Sequence, residues 1–152
     1  MAAEITMNLV IDSLHALQPP WMRTIEANQN LSESVIVSIV GSGAVAFGQL
    51  DINVEKFASA VVIVDHIGAA TYAGNIDINV ADGGAVTVVS LQDWDASALH
   101  LAQHRITLGK DASIKHVSVT LGGDVVRILP SVHYAAPGGQ AELIGLYFAG
   151  AG

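Results

Sequence analysis

Asp51-Ile52-Asn53-Val54 recurs 26 residues further along the chain as Asp77-Ile78-Asn79-Val80, since 77 − 51 = 26. Each copy is followed, after four intervening residues, by a second apolar run, at residues 59–64 and 85–90. Weaker copies follow, and the small residues that open the second strand of each repeat are spaced by 26, 27 and 29 positions, at Ser59, Ala85, Ala112 and Ala141. A period of this length that is carried by strands predicts a stack of coils in which equivalent strands lie on one another.

The composition favours strands over helices. The chain has 152 residues, of which 51% are apolar but only 5% aromatic, and it contains 15 glycines. This is enough apolar material for one core of small and β-branched side chains, so we expect a single domain over residues 1–152. We allow two short helical exceptions, at residues 14–17 and at residues 93–104, where Asp93 or Ser97 is a suitable helix cap.

The charge limits the classes of partner. Six Lys and Arg against 14 Asp and Glu give a formal charge of −8, which argues against nucleic acid and anionic membrane surfaces, because both attract basic proteins. The chain has no Cys and therefore offers no thiolate metal ligand. No segment approaches the roughly 20 apolar residues of a membrane span, and the N-terminus lacks the blocks of a signal peptide, so we expect a cytoplasmic protein.

Two all-β architectures fit a chain of short strands with one buried face. Leu50, Ile52 and Val54 fall on one side of a strand, and Asp51 and Asn53 on the other. An antiparallel β-sandwich satisfies this alternation, but it gives no reason for a whole block such as Asp-Ile-Asn-Val to recur. We therefore predict a parallel β-helix in which Ile52 lies on the Ile of the second copy, and keep the antiparallel β-sandwich as the alternative.

Four segments in the C-terminal half resemble one protein family when they are taken in order. They are residues 82–94, 100–112, 121–127 and 138–147. Together they are similar to the core of the SufB/SufD family of iron–sulfur cluster assembly proteins, and more similar to SufD than to SufB. The similarity is strong over about the last half of the chain, whereas residues 1–80 share only the general character of the family's sequences and no specific motif.

The resemblance implies a right-handed parallel β-helix that pairs with a SufB-like subunit and, through a separate C-terminal helical region, with the ATPase SufC. Family members are longer and have helical regions on both sides of this core, so the chain is interpreted as a probable fragment of the β-helix core. The family's cluster-assembly residues, a Cys of SufB and a His of SufD, have no counterpart here. An iron–sulfur cluster is therefore implied for the intact complex and no cofactor for this chain.

The resemblance also covers a turn. Gly122, Gly123 and the adjacent Arg127 match the family, and we expect a structural role for them. Because one apolar run ends at Leu121 and the next begins at Val125, we expect the two glycines to form a corner between coils, with at least one of them at positive φ.

The histidines are the residues that most invite a chemical role. His100 and His104 are four positions apart, which places them on the same side of a helix or a strand, and they are weak candidates for a metal site. No acidic or Cys partner lies beside them at metal spacing, so we expect a solvated face and no catalytic, cofactor or metal site. We also expect His116 and His133 to be surface residues, while His15 and His66 show no informative pattern.

Two function classes remain. The first is a non-enzymatic scaffold subunit of a SufBCD-type complex, with SufB-like and SufC-like partners. The alternative is a carbohydrate-binding or carbohydrate-active β-helix, which as a hydrolase needs two carboxylates about 5 to 10 Å apart in one groove. Asp51 and Asp77 stack on equivalent positions, and we interpret them as part of a solvated face.

The C-terminal end of the predicted stack has no capping element in the sequence. An open end presents unpaired backbone groups and the apolar side chains of its last coil. We therefore expect a homodimer in which this end pairs with a second copy related by a two-fold axis. The residues expected to lose solvent in that contact are Leu143, Ile144, Leu146, Tyr147 and Phe148.

Overall fold

The chain folds as a stack of parallel β-strands. A computed structural model describes residues 5–11 and 20–150, which form one sheet of nine strands. The strands are β1 (Ile5–Ile11), β2 (Trp21–Ile25), β3 (Val35–Val54), β4 (Ser59–Val80), β5 (Ala85–Trp94), β6 (Leu99–Leu108), β7 (Ser113–Thr120), β8 (Val125–Tyr134) and β9 (Gln140–Tyr147). In this part of the chain we find no helix with the length and apolar character that crossing a membrane demands.

Strand β4 shows how the sheet coils. Its residues 59–68 pair with β5, whereas its residues 71–80 pair with β6. Strand β3 changes direction in the same way, across a register shift between Ser42 and Val45. Each coil therefore has a first face, which runs through β1, β3, β4, β5, β7 and β9, and a second face, which runs through β2, β3, β4, β6 and β8. This is the predicted parallel β-helix, and the antiparallel β-sandwich is wrong.

The predicted register between the two copies of the repeat is confirmed. Asp51 pairs with Asp77 and Ile52 with Ile78, and the second of these ladders continues through Ile106. The later equivalences were predicted one residue out. The ladder that begins at Ser59 and Ala85 continues through residues 113 and 140, with steps of 26, 28 and 27 positions (85 − 59, 113 − 85 and 140 − 113).

The displaced equivalence has a local cause. Ala112 belongs to the turn before β7, where its N–H donates to the Gly109 carbonyl, and its side chain is fully buried. The residue Asp111 adopts a left-handed conformation with φ of 55° in that turn. Four turn residues separate the strands both here and in the first repeat, at residues 109–112 and 81–84, and the two extra residues of the 28-residue step lie at the preceding corner, where residues 95–98 take the place of residues 69–70. Ala112 therefore precedes the ladder position, and Ala141 follows it.

The predicted helix at residues 93–104 is wrong. Asp93 lies in β5, a turn follows, and β6 begins at Leu99. Within β6 every second side chain is buried, beginning with His100 and Ala102, because the strand pairs along its whole length with residues 71–80 of β4. The tertiary ladder therefore overrides the helix-capping signal of Asp93. The other predicted helix, at residues 14–17, lies outside the described residues, as does His15.

The corner predicted at Gly122 and Gly123 is confirmed. Gly123 has a φ of 98°, which L-residues with a side chain rarely adopt. The N–H of Gly122 donates to the Gln92 carbonyl at 3.1 Å, and a Cβ at this position would overlap the Trp94 carbonyl. Arg127 lies on the outer side of β8 and is exposed, opposite Leu101 of β6.

Candidate functional site

Four histidines lie inside the stack. His66 is on β4, His100 and His104 are on β6, and His116 is on β7, and none of these side chains is more than 1% exposed. We call them the histidine cluster. The prediction of a solvated face for His100 and His104 is wrong, because the alternation along β6 directs both into the core. The surface prediction is also wrong for His116, whereas His133 is exposed as predicted.

The histidine cluster consists of two pairs of rings. The His66 and His100 rings are tilted against each other with centroids 4.9 Å apart. The His104 and His116 rings meet edge to face with centroids 5.1 Å apart, and His104 Nδ1 lies 2.8 Å from His116 Nε2. His100 and His104 belong to different pairs, because four residues of a strand span about 13 Å. Within the described residues, no three His, Asp or Glu side chains are arranged to hold a metal ion.

Gln92 organises the first pair from the neighbouring strand β5. Its Oε1 accepts a hydrogen bond from the Trp94 indole N–H at 2.9 Å and lies 2.7 Å from His100 Nδ1. Its Nε2 donates to Ser90 Oγ at 2.8 Å and lies 3.2 Å from His66 Nδ1. One amide side chain therefore connects four buried polar groups that belong to two adjacent coils.

His100 is engaged through one of its two ring nitrogens. Its Nδ1 lies 2.7 Å from Gln92 Oε1 and also faces the Trp94 indole N–H, which donates to it at 3.1 Å. The Nε2 of His100 is buried with no hydrogen-bond partner in the described part of the chain. His104 Nε2 is buried without a partner in the same way. Unsatisfied buried nitrogens of this kind are rare in folded proteins, so the interior has an unusual polar character here.

Burial keeps the histidine cluster neutral. Desolvation is the main cause in every case, and it lowers the pKa of His66 to about 4, of His104 to about 3 and of His100 to about 2. The positive charge that neighbouring histidines would carry lowers the pKa of His100 and His104 further. Burial also lowers the pKa of His116, against a hydrogen bond to its own backbone. At neutral pH the interior therefore carries no charge from these rings.

The last coil leaves the stack open at its C-terminal end. The inward residues of this coil are exposed, among them Leu143 at 45% and Tyr147 at 74%. A pocket of 180 Å³ opens there, with His116 and Ser118 at its buried wall and Leu143, Tyr147 and Pro130 among the other lining residues. The open end therefore leads directly to the His104–His116 pair, since Pro130 follows His104 in its ladder and Leu143 follows His116.

Asp51 and Asp77 are not a pair of free carboxylates. Asp77 accepts from the Arg105 guanidinium through both of its oxygens, at 2.7 and 2.6 Å, and Asp51 accepts from Gln49 Nε2 at 2.7 Å. A retaining or inverting glycosidase needs one carboxyl group that can donate a proton and one that can attack or activate water. Because both oxygens of Asp77 already bind Arg105, these two residues do not favour the carbohydrate-active alternative.

Comparison with known proteins identifies a family. Residues 37–152 match the model of the SUF system FeS cluster assembly, SufBD core domain. An iron–sulfur cluster assembly SufBD family protein of Mycobacterium leprae is 40% identical over 146 residues, which cover 95% of this chain and 37% of that protein. A SufBD family protein of Mycobacterium tuberculosis is 44% identical over 128 residues, which cover 83% of this chain and 32% of that protein.

The match is one of sequence and is limited in length. The chain spans about a third of the length of these curated relatives. No solved structure matches the chain significantly. The family match begins within β3 and includes all of β4 to β9. It therefore includes the coils that contain the histidine cluster and the open end.

Proposed function

The chain belongs to the SufBD family of iron–sulfur cluster assembly proteins, and on this premise we propose that it is a non-enzymatic, cytoplasmic scaffold subunit of a SufBCD-type complex. In this role it acts through its shape and its contacts with SufB-like and SufC-like subunits, and the cluster is the cargo of the complex. We propose the SufD-like position because residues 82–94, 100–112, 121–127 and 138–147 are more similar to SufD than to SufB.

The open C-terminal end is the observation that carries this proposal. Strands β8 and β9 are each paired on one side only, with β6 and β7 respectively. An unpaired parallel strand with exposed apolar neighbours is a template for another chain. A scaffold subunit needs such a surface. Strands β3 to β7 are paired on both sides, whereas β1 and β2 at the opposite end pair only with β3 in the described residues.

We propose that the same end forms a homodimer when no other subunit is present. Leu143 and Tyr147 are inward residues of the last coil, while Ile144 and Leu146 lie on the outer side of β9. Phe148 follows the strand and is 64% exposed. A two-fold contact that extends both sheets can cover the inward residues of β9 or its outward residues. The sedimentation behaviour of variants decides which of these two sets is buried.

The experiment compares the chain alone with the chain co-expressed with a SufB-like and a SufC-like subunit. We expect the chain alone to sediment as a dimer at micromolar concentration, and to remain colourless and free of tightly bound metal after anaerobic incubation with iron and sulfide. We expect it to co-purify with the other two subunits, and the complex to acquire the absorbance of a cluster. A brown isolated chain, or no co-purification, contradicts the scaffold proposal.

Two matched variants locate the contact. Leu143→Lys places a charge in the open end, whereas Leu101→Lys places the same charge on the outer face of β6, where Leu101 is 54% exposed. We expect Leu143→Lys to abolish the dimer and weaken co-purification, because a buried unpaired ammonium is costly. Leu101→Lys should do neither. Equal effects of the two variants, or a monomeric unaltered chain, contradict an interface at the open end.

A further inference from the structure

The His104–His116 pair lies at the boundary between the closed stack and the open end. Both side chains are buried, and a single hydrogen bond of 2.8 Å joins their rings. His104 belongs to β6 and His116 to β7, so the bond crosses the interior from the second face to the first. The next position in each ladder, Pro130 or Leu143, is already exposed to solvent.

A bond between two imidazoles has a specific weakness. One ring donates its N–H and the other accepts with a lone pair, so the bond requires the accepting nitrogen to be unprotonated. If that nitrogen takes up a proton, both facing nitrogens carry N–H groups, and the attraction becomes a repulsion between donors. The pair therefore holds the two faces together only while it is neutral.

The surroundings offer no counter-ion for a charged ring. Strand β4 contributes His66 and Tyr72, β6 contributes His100, and β5 contributes only the uncharged Ser90, Gln92 and Trp94. Strands β8 and β9 contribute two tyrosines at the open end, Tyr134 and Tyr147. No Asp, Glu, Lys or Arg is among the buried residues that the structure describes. A proton on the pair is therefore not offset by a nearby carboxylate.

The open end supplies the route for that proton. The 180 Å³ pocket has the His116 side chain in its wall, whereas His66 and His100 do not line it. Solvent that enters this pocket therefore reaches the His104–His116 pair before it reaches the rest of the histidine cluster. The pocket is closed on its outer side only by residues of the last coil, such as Leu143 and Tyr147, which are themselves poorly packed.

We propose that the His104–His116 pair is a proton-operated lock for the C-terminal coils, which is closed when both rings are neutral and which releases β7, β8 and β9 when the pair takes up a proton. The lock acts on the end of the stack that we propose as the contact surface, but it is a property of the isolated chain. It holds or fails whether or not the chain works in a SufBCD-type complex.

The direction of the pH dependence follows from burial. The pKa of each ring is lower in the folded chain than the ordinary value of 6.5, so the unfolded chain binds more protons in this range. The stabilisation is therefore complete above about pH 6.5 and is lost as the pH falls toward the folded pKa, which is about 3 for His104. His104 alone should lower the folding equilibrium constant by about tenfold between about pH 7 and about pH 5.5, and His116 should lower it further in the same direction.

The ladder itself supplies the variant that tests this. His104 follows Leu50 and Ile76 in its ladder, and His116 follows Val62 and Val88. The double variant with His104→Ile and His116→Val therefore continues both ladders with side chains that the preceding coil already uses. A single replacement is a poor test, because it leaves the other ring with an unsatisfied buried nitrogen. The control is His133→Gln, which changes an exposed histidine of β8.

The experiment measures urea unfolding at about pH 7 and about pH 5.5, together with hydrogen exchange by strand. In the unaltered chain we expect the amides of β7 and β9 to lose protection at the lower pH before those of β3 and β4. The double variant should lose at least about tenfold less in its folding equilibrium constant over this interval, because the contribution of His104 and that of His116 are both removed. The His133→Gln variant should behave as the unaltered chain does. An unchanged pH dependence in the double variant overturns the proposal.

A measurement on the unaltered chain covers the case in which the double variant does not fold. The imidazole nitrogen resonances of His104 and His116 should remain those of neutral rings down to the pH at which β9 loses protection. Two rings that titrate near pH 6.5 while β7 and β9 stay protected also overturn the proposal, because the pair then takes up its proton without releasing the coils.

Discussion

Two regions of the same stack differ in the polarity of their interiors, because one is aliphatic and the other contains many buried polar side chains. Where residues 45–54 of β3 lie under residues 71–80 of β4, the inward ladders are aliphatic, as in the pairs Leu50–Ile76 and Ile52–Ile78. One coil later the corresponding interior contains the histidine cluster, Gln92, Trp94 and Ser90. Backbone pairing continues through both regions without interruption. The β-helix therefore does not need an apolar interior as long as its strands are paired and its buried polar groups have partners.

The difference has a cost at particular atoms. In the polar coils His100 Nε2 and His104 Nε2 are both unsatisfied, whereas beside the aliphatic coils one such atom is found in the described residues, Arg23 Nε on β2 opposite Ile52. Each unsatisfied buried group costs about 1 to 3 kcal/mol. The polar coils are also next to the open end, so the least stable interior adjoins the proposed contact surface. We infer that stability decreases along the stack toward its C-terminal end.

The largest expected effect comes from Gln92→Leu, which extends an apolar interior into the polar coil. The Trp94 indole N–H and His100 Nδ1 then lose their shared contact with Gln92 Oε1 and keep only each other at 3.1 Å, and Ser90 loses its donor. We expect the free energy of unfolding to fall by about 3 kcal/mol, as measured by urea denaturation. The control Gln103→Leu changes an exposed residue of β6 and should cost less than about 0.5 kcal/mol. If Gln92→Leu is neutral, the polar interior is not a connected network.

The corners of the two regions differ as well, and Gly123→Val tests that difference. In the aliphatic coils Gly41 stacks on Gly68, whereas the polar coil turns at Gly122 and Gly123 against Trp94. A Val at Gly123 must adopt a φ of 98° and crowds the Val126 side chain, so we expect a loss of about 1 to 3 kcal/mol in the free energy of unfolding.

The measurement for this corner is the thermal midpoint of unfolding. A matched control is Gly150→Val, because an added Cβ at Gly150 meets no atom within 4 Å. We expect no change in the midpoint for the control and a fall of several degrees for the variant at the corner. An unchanged midpoint for Gly123→Val means that the turn relaxes at no cost, and the corner is then not a structural requirement.

The sequence predicted the aliphatic coils well and the polar coils poorly, for a physical reason. A repeat is visible when stacked positions are filled by the same residue, as at Ile52 and Ile78. His116 stands on Val88, so the ladder carries no identity at that point. The equivalence of Ala112 with Ala85 was one residue out, and a slip of one residue moves every side chain to the opposite face. The prediction that His116 lies on the surface rested on the fact that this residue interrupts the strand pattern, and the displaced register also puts it on the outer side.

The local sequence shows that His100 and His104 lie on one side of a strand, but it does not show whether that side is buried. The alternation of Leu99, Leu101 and Gln103 with His100 and His104 gives a strand, but it makes the leucines as good candidates for the core as the histidines. Only the pairing of Leu99 with Thr71 and of His100 with Tyr72 decides between the two faces. The tertiary register, and not a local pattern, therefore determines which of these side chains are buried.

The smallest expected effect concerns the outer face, where the ladder of Asp51 and Asp77 is continued by Arg105 instead of a third Asp. The Arg105 side chain is 51% exposed and that of Asp77 25% exposed, so water screens their ion pair. For Arg105→Gln we expect a loss in the free energy of unfolding at low salt that is smaller than that of the other variants, and a still smaller loss at high salt. The variant should lose more than an isolated surface pair does, because the stacked carboxylates of Asp51 and Asp77 then have no neighbouring cation in their ladder to offset their repulsion.

Urea titrations of Arg105→Gln and of Arg105→Gln with Asp77→Asn, at two salt concentrations, check this. If removal of the Asp77 charge does not restore stability, repulsion between the two stacked carboxylates is negligible, and the change from Asp to Arg along this ladder has no energetic role.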